Sequence, residues 1–552
     1  MKTWKTNLEE TKQRYINWWN HKGIILSMWE HFQEGVKPHA DIAPPAPARD
    51  LSQKWFDPQW RAEYLDWYVA HSSLMADMLP VANTQLGPGS LAAILGGVFE
   101  GGEDTIWIHP DPNFNDEIVF NPEHPNWLLH KELLKACKAK ANGNYFVGMP
   151  DLMEGLDVLA ALKGTDMVLL DTVMQPEVLE QQMQQINDIY FKVFDELYDI
   201  IREGDEMAFC YFSSWAPGKM SKLQSDISTM ISQDDYRRFV QPFIREQCQK
   251  IDYTLYHLDG VGAMHHLPAL LEIEELNAIQ WTPGVGEPQG GSPKWYDLYK
   301  KILAGGKSVM ACWVTLEELK PLLDHIGADG VHLEMDFHNE REVEQAMRII
   351  EEYTGSSSSV SADVHTNQPV GEQDNAQESI RIREEKSQEE DRMKPLYDAI
   401  VAGKLEPAVE VTKDAIAAGV LPQDIINGYM ITAMGEVGQR FQDGKAFVPQ
   451  LLMAGRAMKG ALELLKPLLA GNASATIGKI VIGTVKGDLH DIGKNLVASM
   501  LEGCGFEVIN IGIDVTCDKF VEAVKENKAD ILCMSALLTT TMTYMQDVIR
   551  AL

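Results

Sequence analysis

Cysteine is scarce in this chain. Seven occur in 552 residues, at positions 137, 210, 248, 312, 504, 517 and 533, and none forms a CxxC pair. That pattern excludes a disulfide framework and fits a reducing compartment. Long apolar runs are missing too. No stretch approaches the roughly 20 apolar residues that span a bilayer, so no membrane segment is expected. The opening MKTWKTNLEETKQRY is polar and has no apolar core of a secretory signal, which predicts a cytoplasmic protein. Positive charge is in short supply. Against 81 Asp and Glu stand 48 Lys and Arg, a net charge of −33. Nucleic acid and anionic membrane surfaces are poor partners for such a chain. What remains is ordinary globular composition in a chain long enough to bury a sizeable core without staples.

One break in composition is clear. Residues 355–377, GSSSSVSADVHTNQPVGEQDNAQ, hold almost no large apolar side chain. Such a segment cannot offset its ordering entropy by burial, so a flexible linker is expected over 355–382. Before it, residues 1–354 alternate β-type runs with amphipathic stretches. The strand candidates are 24–29, 78–83, 145–150, 207–212, 254–258, 277–281, 308–313 and 330–335. A long helix is expected over 176–201. Eight strands alternating with helices predict an α/β fold, a (β/α)8 TIM barrel, with a doubly wound open sheet as the competing arrangement. In a barrel the chemistry belongs at the carboxyl ends of the strands. After the linker, residues 383–472 carry helical periodicity closed by Gly or Pro and predict a four-helix bundle. Residues 473–552 change pattern again. KIVIGTV, FEVINIG and DILCMSAL read as strands with helices between them, a Rossmann-like βαβαβ unit with a parallel sheet.

The most informative segment follows the first strand of that unit. GDLHDIGKN places Asp488 and His490 in a strand-to-helix loop, where such sheets bind ligands. Gly493 lets a backbone approach a bulky group closely. A histidine with a carboxylate nearby is the usual metal-ligating imidazole and its partner. Read alone, the same segment also suits a loop histidine beside a helix-capping aspartate.

The segment resembles the cobalamin-binding signature DxHxxG, met by Asp488, His490 and Gly493. The SxL element of that family is matched by Ser535 and Leu537 at the end of the third strand. The bundle, including FVPQLLMAGRAMKGALELLKP at 447–467, resembles the helical cap of methionine-synthase-type corrinoid modules. The resemblance implies cobalamin as cofactor and a flavodoxin-like domain. It implies that His490 is the lower axial cobalt ligand and that Asp488 holds its other ring nitrogen. Ser535 and Leu537 would line the slot for the displaced nucleotide tail. Phe447, Val448 and Leu451 would meet the upper face, or else serve the bundle's own core. The family's GG element and last strands lie beyond Leu552, so the expected domain is C-terminally truncated or is completed by another subunit.

The first 350 or so residues resemble the uroporphyrinogen-decarboxylase superfamily of TIM barrels. The resemblance runs through GNYFVGMPDLMEGLDVLAALKGTDMVLLDTVMQPEVL (143–179), LQSDISTMISQDDYRRFVQPFI (223–244) and YHLDGVG (256–262). The decarboxylase's arginine-rich RQAGR segment is replaced by IILSMWEHFQE, which disfavours tetrapyrrole decarboxylation. The other branch, corrinoid-dependent methyltransferases, occurs beside or fused to corrinoid modules, as in the chloromethane methyltransferases. That branch binds zinc through HxC and a later cysteine. Here the pattern reads His257-Leu258-Asp259, and the later position falls in His332-Leu333-Glu334-Met335-Asp336. The resemblance implies His257, Asp259 and Glu334 as catalytic residues and as a possible zinc set with harder ligands. A hydrogen-bonded polar cluster without metal is the other reading. His265 and His266 read as surface histidines and Cys312 as a buried thiol. Trp29, Glu30, His31, Tyr211, Trp215, Gln224 and Asp226 follow strands and suit a substrate pocket or packing.

The expected function is a fused corrinoid-dependent methyltransferase. The barrel would pass a methyl group from a small O- or N-methyl compound to the corrinoid cobalt. A second methyltransferase and a reductive activator are expected partners. The alternatives are the reverse transfer to a thiol or folate, a corrinoid carrier whose barrel is not catalytic, and a decarboxylase-like enzyme with a corrinoid sensor.

Overall fold

The computed structural model describes residues 3–102, 105–111, 114–284, 286–354, 393–469, 478–488, 492–503, 506–536 and 539–552. The expected linker lies outside the described residues, as do His490 and Leu537. The chain divides into two compact units, Met1–Ser358 and Ser359–Leu552.

The N-terminal unit is built on parallel sheets. Its strands are β1 (Ile24–Ser27), β2 (Val81–Ala82), β3 (Val98–Gly101), β4 (Ile106–His109), β5 (Phe146–Met149), β6 (Met207–Phe209), β7 (Ser214–Ala216), β8 (Met220–Leu223), β9 (Tyr253–Asp259), β10 (Ala278–Thr282), β11 (Ser308–Val314) and β12 (Val331–Met335). All eight expected strands form and pair in parallel, and their ladders group into two sheets. One sheet runs β1-β12-β11-β10-β9-β8 and the other β2-β5-β6-β7. Between the β1 edge and the second sheet, Asp77 donates its backbone N–H to the Leu26 carbonyl at 2.9 Å, and Leu26 N–H returns a bond to the Asp77 carboxylate at 3.1 Å. Three features were not expected. A β3–β4 hairpin forms, and β8 adds a further parallel strand beside β9. The expected strand over 207–212 stops at Phe209. Phe212 and Ser213 take φ of 60° and 44°, and the chain turns back as β7, antiparallel to β6.

The strands are buried on both faces, as parallel sheets covered by helices require. The helix Pro176–Ile201 shows how it is covered. Pro176 starts it, and Leu179, Met183, Ile186, Tyr190, Phe194, Leu197 and Ile201 recur at helical spacing and are buried. Sealing each large apolar side chain contributes about 1.5–3 kcal/mol. At Gly148 a side chain is impossible, because a Cβ would stand 2.6 Å from the Cys210 Cα. The close approach of β5 and β6 therefore depends on that glycine.

The C-terminal unit has two layers of chemistry. Helices over 393–401, Leu405–Ala417, Pro422–Gln442 and Val448–Leu469 share an apolar core that includes Leu396, Ile400, Ile425, Met430, Met458, Leu462 and Leu465. The third helix contains a π turn at Ile426–Met430. Beyond the bundle, β13 (Lys479–Thr484), β14 (Glu507–Asn510) and β15 (Ile531–Ser535) form a parallel sheet in the order β14-β13-β15. Helices Ile492–Gly503, Cys517–Asn527 and Thr539–Ala551 complete this Rossmann-like layer. Among the described residues, no helix is long and apolar enough to cross a membrane.

Candidate functional site

The order β14-β13-β15 fixes where the C-terminal unit can bind. From β13 the chain crosses to one side to make β14, and later to the other side to make β15. A crevice opens at the carboxyl end of the strand between them. Asp488 lies there. Its side chain is fully buried, and the Thr541 hydroxyl donates to its carboxylate at 2.8 Å. The loop is locked by backbone bonds. Gly487 N–H donates to the Asp514 carboxylate at 2.8 Å, Asp514 N–H to the Asp488 carbonyl at 3.2 Å, and Val485 N–H to the Ser535 carbonyl at 3.0 Å. Gly487 holds φ of 81°, a conformation that side chains disfavour. The structure thus brings Asp488 and Ser535 to one edge. Gly493 starts the next helix region, in Ile492–Gly503. Thr541 and Asp514 were missed by sequence reasoning, since neither belongs to a contiguous pattern. Val448 and Leu451, expected against a cofactor face, are buried, and Leu451 packs with Val437, Ala446 and Ala454 in the bundle.

A buried carboxylate is the acceptor that an imidazole N–H needs, so this edge fits a histidine-ligated cobalt. Two family models, each described as a B12 binding domain, match residues 393–466 and 478–552. Trimethylamine corrinoid protein 1 of Methanosarcina mazei is 46% identical over 147 residues, 26% of this chain and 68% of that protein. Dimethylamine corrinoid protein 1 of Methanosarcina acetivorans is 47% identical over 148 residues, 25% of this chain and 70% of its own. A solved cobalamin-binding protein from Desulfitobacterium hafniense is 34% identical, with 29% of this chain and 75% of that one covered, at a TM-score of 0.26. The fold and the matched models define a B12-binding module. Through that module the chain belongs to the corrinoid-protein family, and cobalamin is its cofactor.

In the N-terminal unit the polar groups gather at the carboxyl ends of the parallel strands. His257 and Gln280 are register partners on β9 and β10, and His257 Nδ1 contacts Gln280 Oε1. Gln280 Nε2 donates to Thr282 Oγ1 at 2.7 Å and to Cys312 Sγ at 3.0 Å. Its oxygen must therefore accept, so the His257 proton sits on Nδ1 and the Nε2 lone pair is left free of it. Cys312 donates onward to Glu334 Oε2 at 3.4 Å. Four neighbouring strands thus carry one relay, His257–Gln280–Cys312–Glu334. Glu334 Oε1 is buried without a hydrogen-bond partner. Burial raises the Glu334 carboxyl to about 8, and Asp336 adds to the effect. It is a neutral acid at pH 7. Burial and the Lys222 charge lower His257 to about 3, so its imidazole is neutral.

The expected zinc set is not assembled. Among the described residues, no three His, Cys, Asp or Glu side chains form a metal-holding group. His257 Nε2 stands 3.9 Å from Asp259, and a hydrogen-bonded chain through Gln280 and Cys312 links His257 to Glu334. The amide and thiol between them hold the groups apart as a hydrogen-bonded chain.

A second polar cluster adjoins the first. Lys222 and Asp151, each 1% exposed, pair at 2.5 Å. Lys222 also contacts Gln224, whose backbone N–H donates to Glu154 at 2.7 Å and whose side chain donates to Asp226 at 3.0 Å. Asp157 accepts from the backbone N–H of Asp226 and Ile227, and burial lifts its carboxyl to about 6. Gln224 and Asp226 were expected here, whereas Lys222, Asp151, Glu154 and Asp157 were not. They lie in a strand, a loop and the first turn of the helix Gly155–Lys163 with no motif, and only the fold joins them. Tyr211 and Trp29 also belong to this end, with ring centroids 4.4 Å apart. Trp215 does not: it is buried, and its indole N–H donates to Glu206. His266 is no surface histidine. It is buried against Tyr236 and bonds the Ser228 carbonyl. His332 is buried and bonded to Ser27, and His31 is buried as well.

Proposed function

We propose that the chain is a corrinoid-dependent methyltransferase in one polypeptide. The N-terminal unit holds a small O- or N-methyl compound, and the cobalamin of the C-terminal unit accepts the methyl group. The observation that carries this reading is the presence of a buried, neutral acid relay at strand ends in the same chain as a cobalamin module. Bound cobalamin supplies a cobalt centre that takes up a methyl group and gives it up again. His490 would hold the cobalt, Asp488 would hold the other ring nitrogen of His490, and Ser535 and Leu537 would line the slot for the nucleotide tail. The uroporphyrinogen-decarboxylase-like unit does the rest. Glu334, kept protonated by burial, donates its proton to a leaving oxygen or nitrogen, which departs poorly as an anion. His257 Nε2 accepts a hydrogen bond from the substrate and so orients it. Gln280 and Cys312 position those two groups. A separate methyltransferase would draw on the methylated corrinoid, and a reductive activator would restore it.

The test is anaerobic. The full chain loaded with cobalamin in its Co(I) form is offered methoxylated aromatics and methylamines, and the visible spectrum reads methyl-Co(III). Methylation by the chain alone supports the reading. A second reading, a carrier loaded by a separate methyltransferase, is favoured by the relatives, which are corrinoid proteins. It takes precedence if no donor methylates the chain until such an enzyme is added.

A further inference from the structure

Aromatic side chains meet at the strand ends of the N-terminal unit. Trp29 follows β1, Tyr211 and Phe212 follow β6, and Trp313 lies within β11. The Trp29 ring centroid lies 4.4 Å from Tyr211, 5.2 Å from Phe212 and 6.3 Å from Trp313. Phe212 is buried, whereas Trp29, Tyr211 and Trp313 keep part of their surface open. The backbone is strained to set them there. Phe212 and Trp313 hold φ of 60° and 55°, and the neighbouring loops hold Ser213 at 44° and Met153 at 59°. Non-glycine residues in the left-handed region persist where the surrounding structure enforces them, and they cluster at ligand clamps.

Acid borders this aromatic wall. Contacts lead from it in two directions. Lys222 Nζ lies 4.9 Å from the Tyr211 ring and contacts Gln224, which bonds Asp226. On the other side the Tyr211 ring is 6.4 Å from His257, whose Nε2 is 3.9 Å from Asp259. Lys222 is already paired with buried Asp151. Asp226 meets a neutral amide and Asp259 a neutral imidazole, and both keep solvent access. Inside the same cluster, Glu154 is 3% exposed and its Oε1 has no hydrogen-bond partner, while its other oxygen holds the Gln224 backbone. Carboxyl groups outnumber cations here, and open ring faces lie beside them; burial raises Glu154, Asp226 and Asp259 above the usual carboxylate range, Asp157 adds to this at Asp226, and a cation bound beside them favours their ionised forms. Among the described residues the acids are not gathered to hold a metal ion.

We infer that this surface binds an organic ammonium cation bearing N-methyl groups, with the open ring faces taking the methyl groups and Asp226 and Asp259 balancing the charge. An aromatic face attracts such a cation through its quadrupole, and the N-methyl shell loses little on leaving water. A methyl ether of the same shape gains the ring contact alone. The inference rests on the methyl-donor reading of these strand ends and adds an N-methyl cation to the donors they take; such a donor leaves as a neutral amine, so the Glu334 proton serves the uncharged donors.

Titration calorimetry on the full chain tests it, with choline and its uncharged isostere 3,3-dimethylbutan-1-ol as probes. Choline is expected to bind about tenfold or more tightly than the alcohol. Asp226→Asn and Trp29→Leu are each expected to weaken choline about five- to tenfold, with the unfolding midpoint followed for both. Equal affinity for the two probes overturns the inference, as does an Asp226→Asn variant that binds choline like the parent. Methylation of the corrinoid by ethers alone, with no choline binding, overturns it and leaves the methyltransferase reading standing. Choline binding without methylation by any donor does the reverse.

Discussion

In the C-terminal unit, the residues at the binding edge come from three turns at the ends of three neighbouring strands, and the decisive ones sit in one short run, Asp488 to Gly493. In the N-terminal unit, the polar groups come from positions as far apart as Asp151 and Glu334, joined by hydrogen bonds into two clusters, one of which crosses four strands. A cofactor of fixed shape is met by a compact signature. The proposed substrate site is instead collected from single side chains across the sheet. The first arrangement tolerates change in its surroundings and is sensitive in one loop. The second spreads its sensitivity over many strands.

That contrast can be broken at several points. The largest effect is expected from Glu334→Gln, which removes the proton donor and should slow methyl transfer from an uncharged O-methyl donor about 10²–10⁴-fold. The protonated form is the active one and Glu334 sits near 8, so the parent rate should fall as pH rises through about 8. The variant should lack that limb. A pH–rate profile that keeps the limb in Glu334→Gln places the donor elsewhere.

Lys222→Met comes next. It leaves the Asp151 carboxylate buried and unpaired, which should cost about 3–5 kcal/mol in urea unfolding of the N-terminal unit. Adding Asp151→Asn should restore most of the loss. If the single variant costs less than about 1 kcal/mol, the pair is not sealed from water.

On the cofactor side, Asp488→Ala should weaken cobalamin retention about 10–100-fold, measured by equilibrium dialysis. His490→Ala should abolish the axial-nitrogen splitting in the electron paramagnetic resonance of the Co(II) form. Unchanged splitting assigns the axial position to another group. The smallest effect is expected at Thr541→Val, which removes one hydroxyl donor to Asp488. It should lower the stability of the C-terminal unit by about 1.5 kcal/mol and leave the N-terminal transition unmoved. Equal shifts in both transitions would show that the effect is not local.

The same contrast explains what could be read before folding. All eight strand runs were legible in their periodicity, because apolar strands flanked by amphipathic helices write a repeating pattern. Asp488 was legible because the loop after a first strand is a short-range feature. Lys222, Asp151 and Gln280 were not, since a lysine in the strand MSKL or a glutamine in AIQWT carries no local sign of its partner. His257 and Glu334 were picked out by the resemblance to a zinc-ligand order and by their place at strand ends, whereas Gln280 and Cys312, which link them by hydrogen bonds, are revealed only by the register of β9 to β12. The β6–β7 reversal was hidden for a similar reason, because it turns on positive φ at Phe212 and Ser213, a conformation that neither residue type favours.

The π turn at Ile426–Met430 makes the third helix of the bundle a matter of counting. Such a turn houses one residue more than α geometry uses, and one residue corresponds to a rotation on the order of 100° about the helix axis. Ile425, Ile426 and Met430 are buried in and before the turn, Ala433 and Val437 are buried after it, and Ile431 and Phe441 stay exposed. Deleting a single residue within the turn would leave an unbroken α-helix, ordinarily the more stable form. It would also swing residues 431–442 around the axis, carrying Val437 out of the core and bringing a different side of the helix inward. The irregular turn thus works as an indexing step that sets which face the rest of the helix shows.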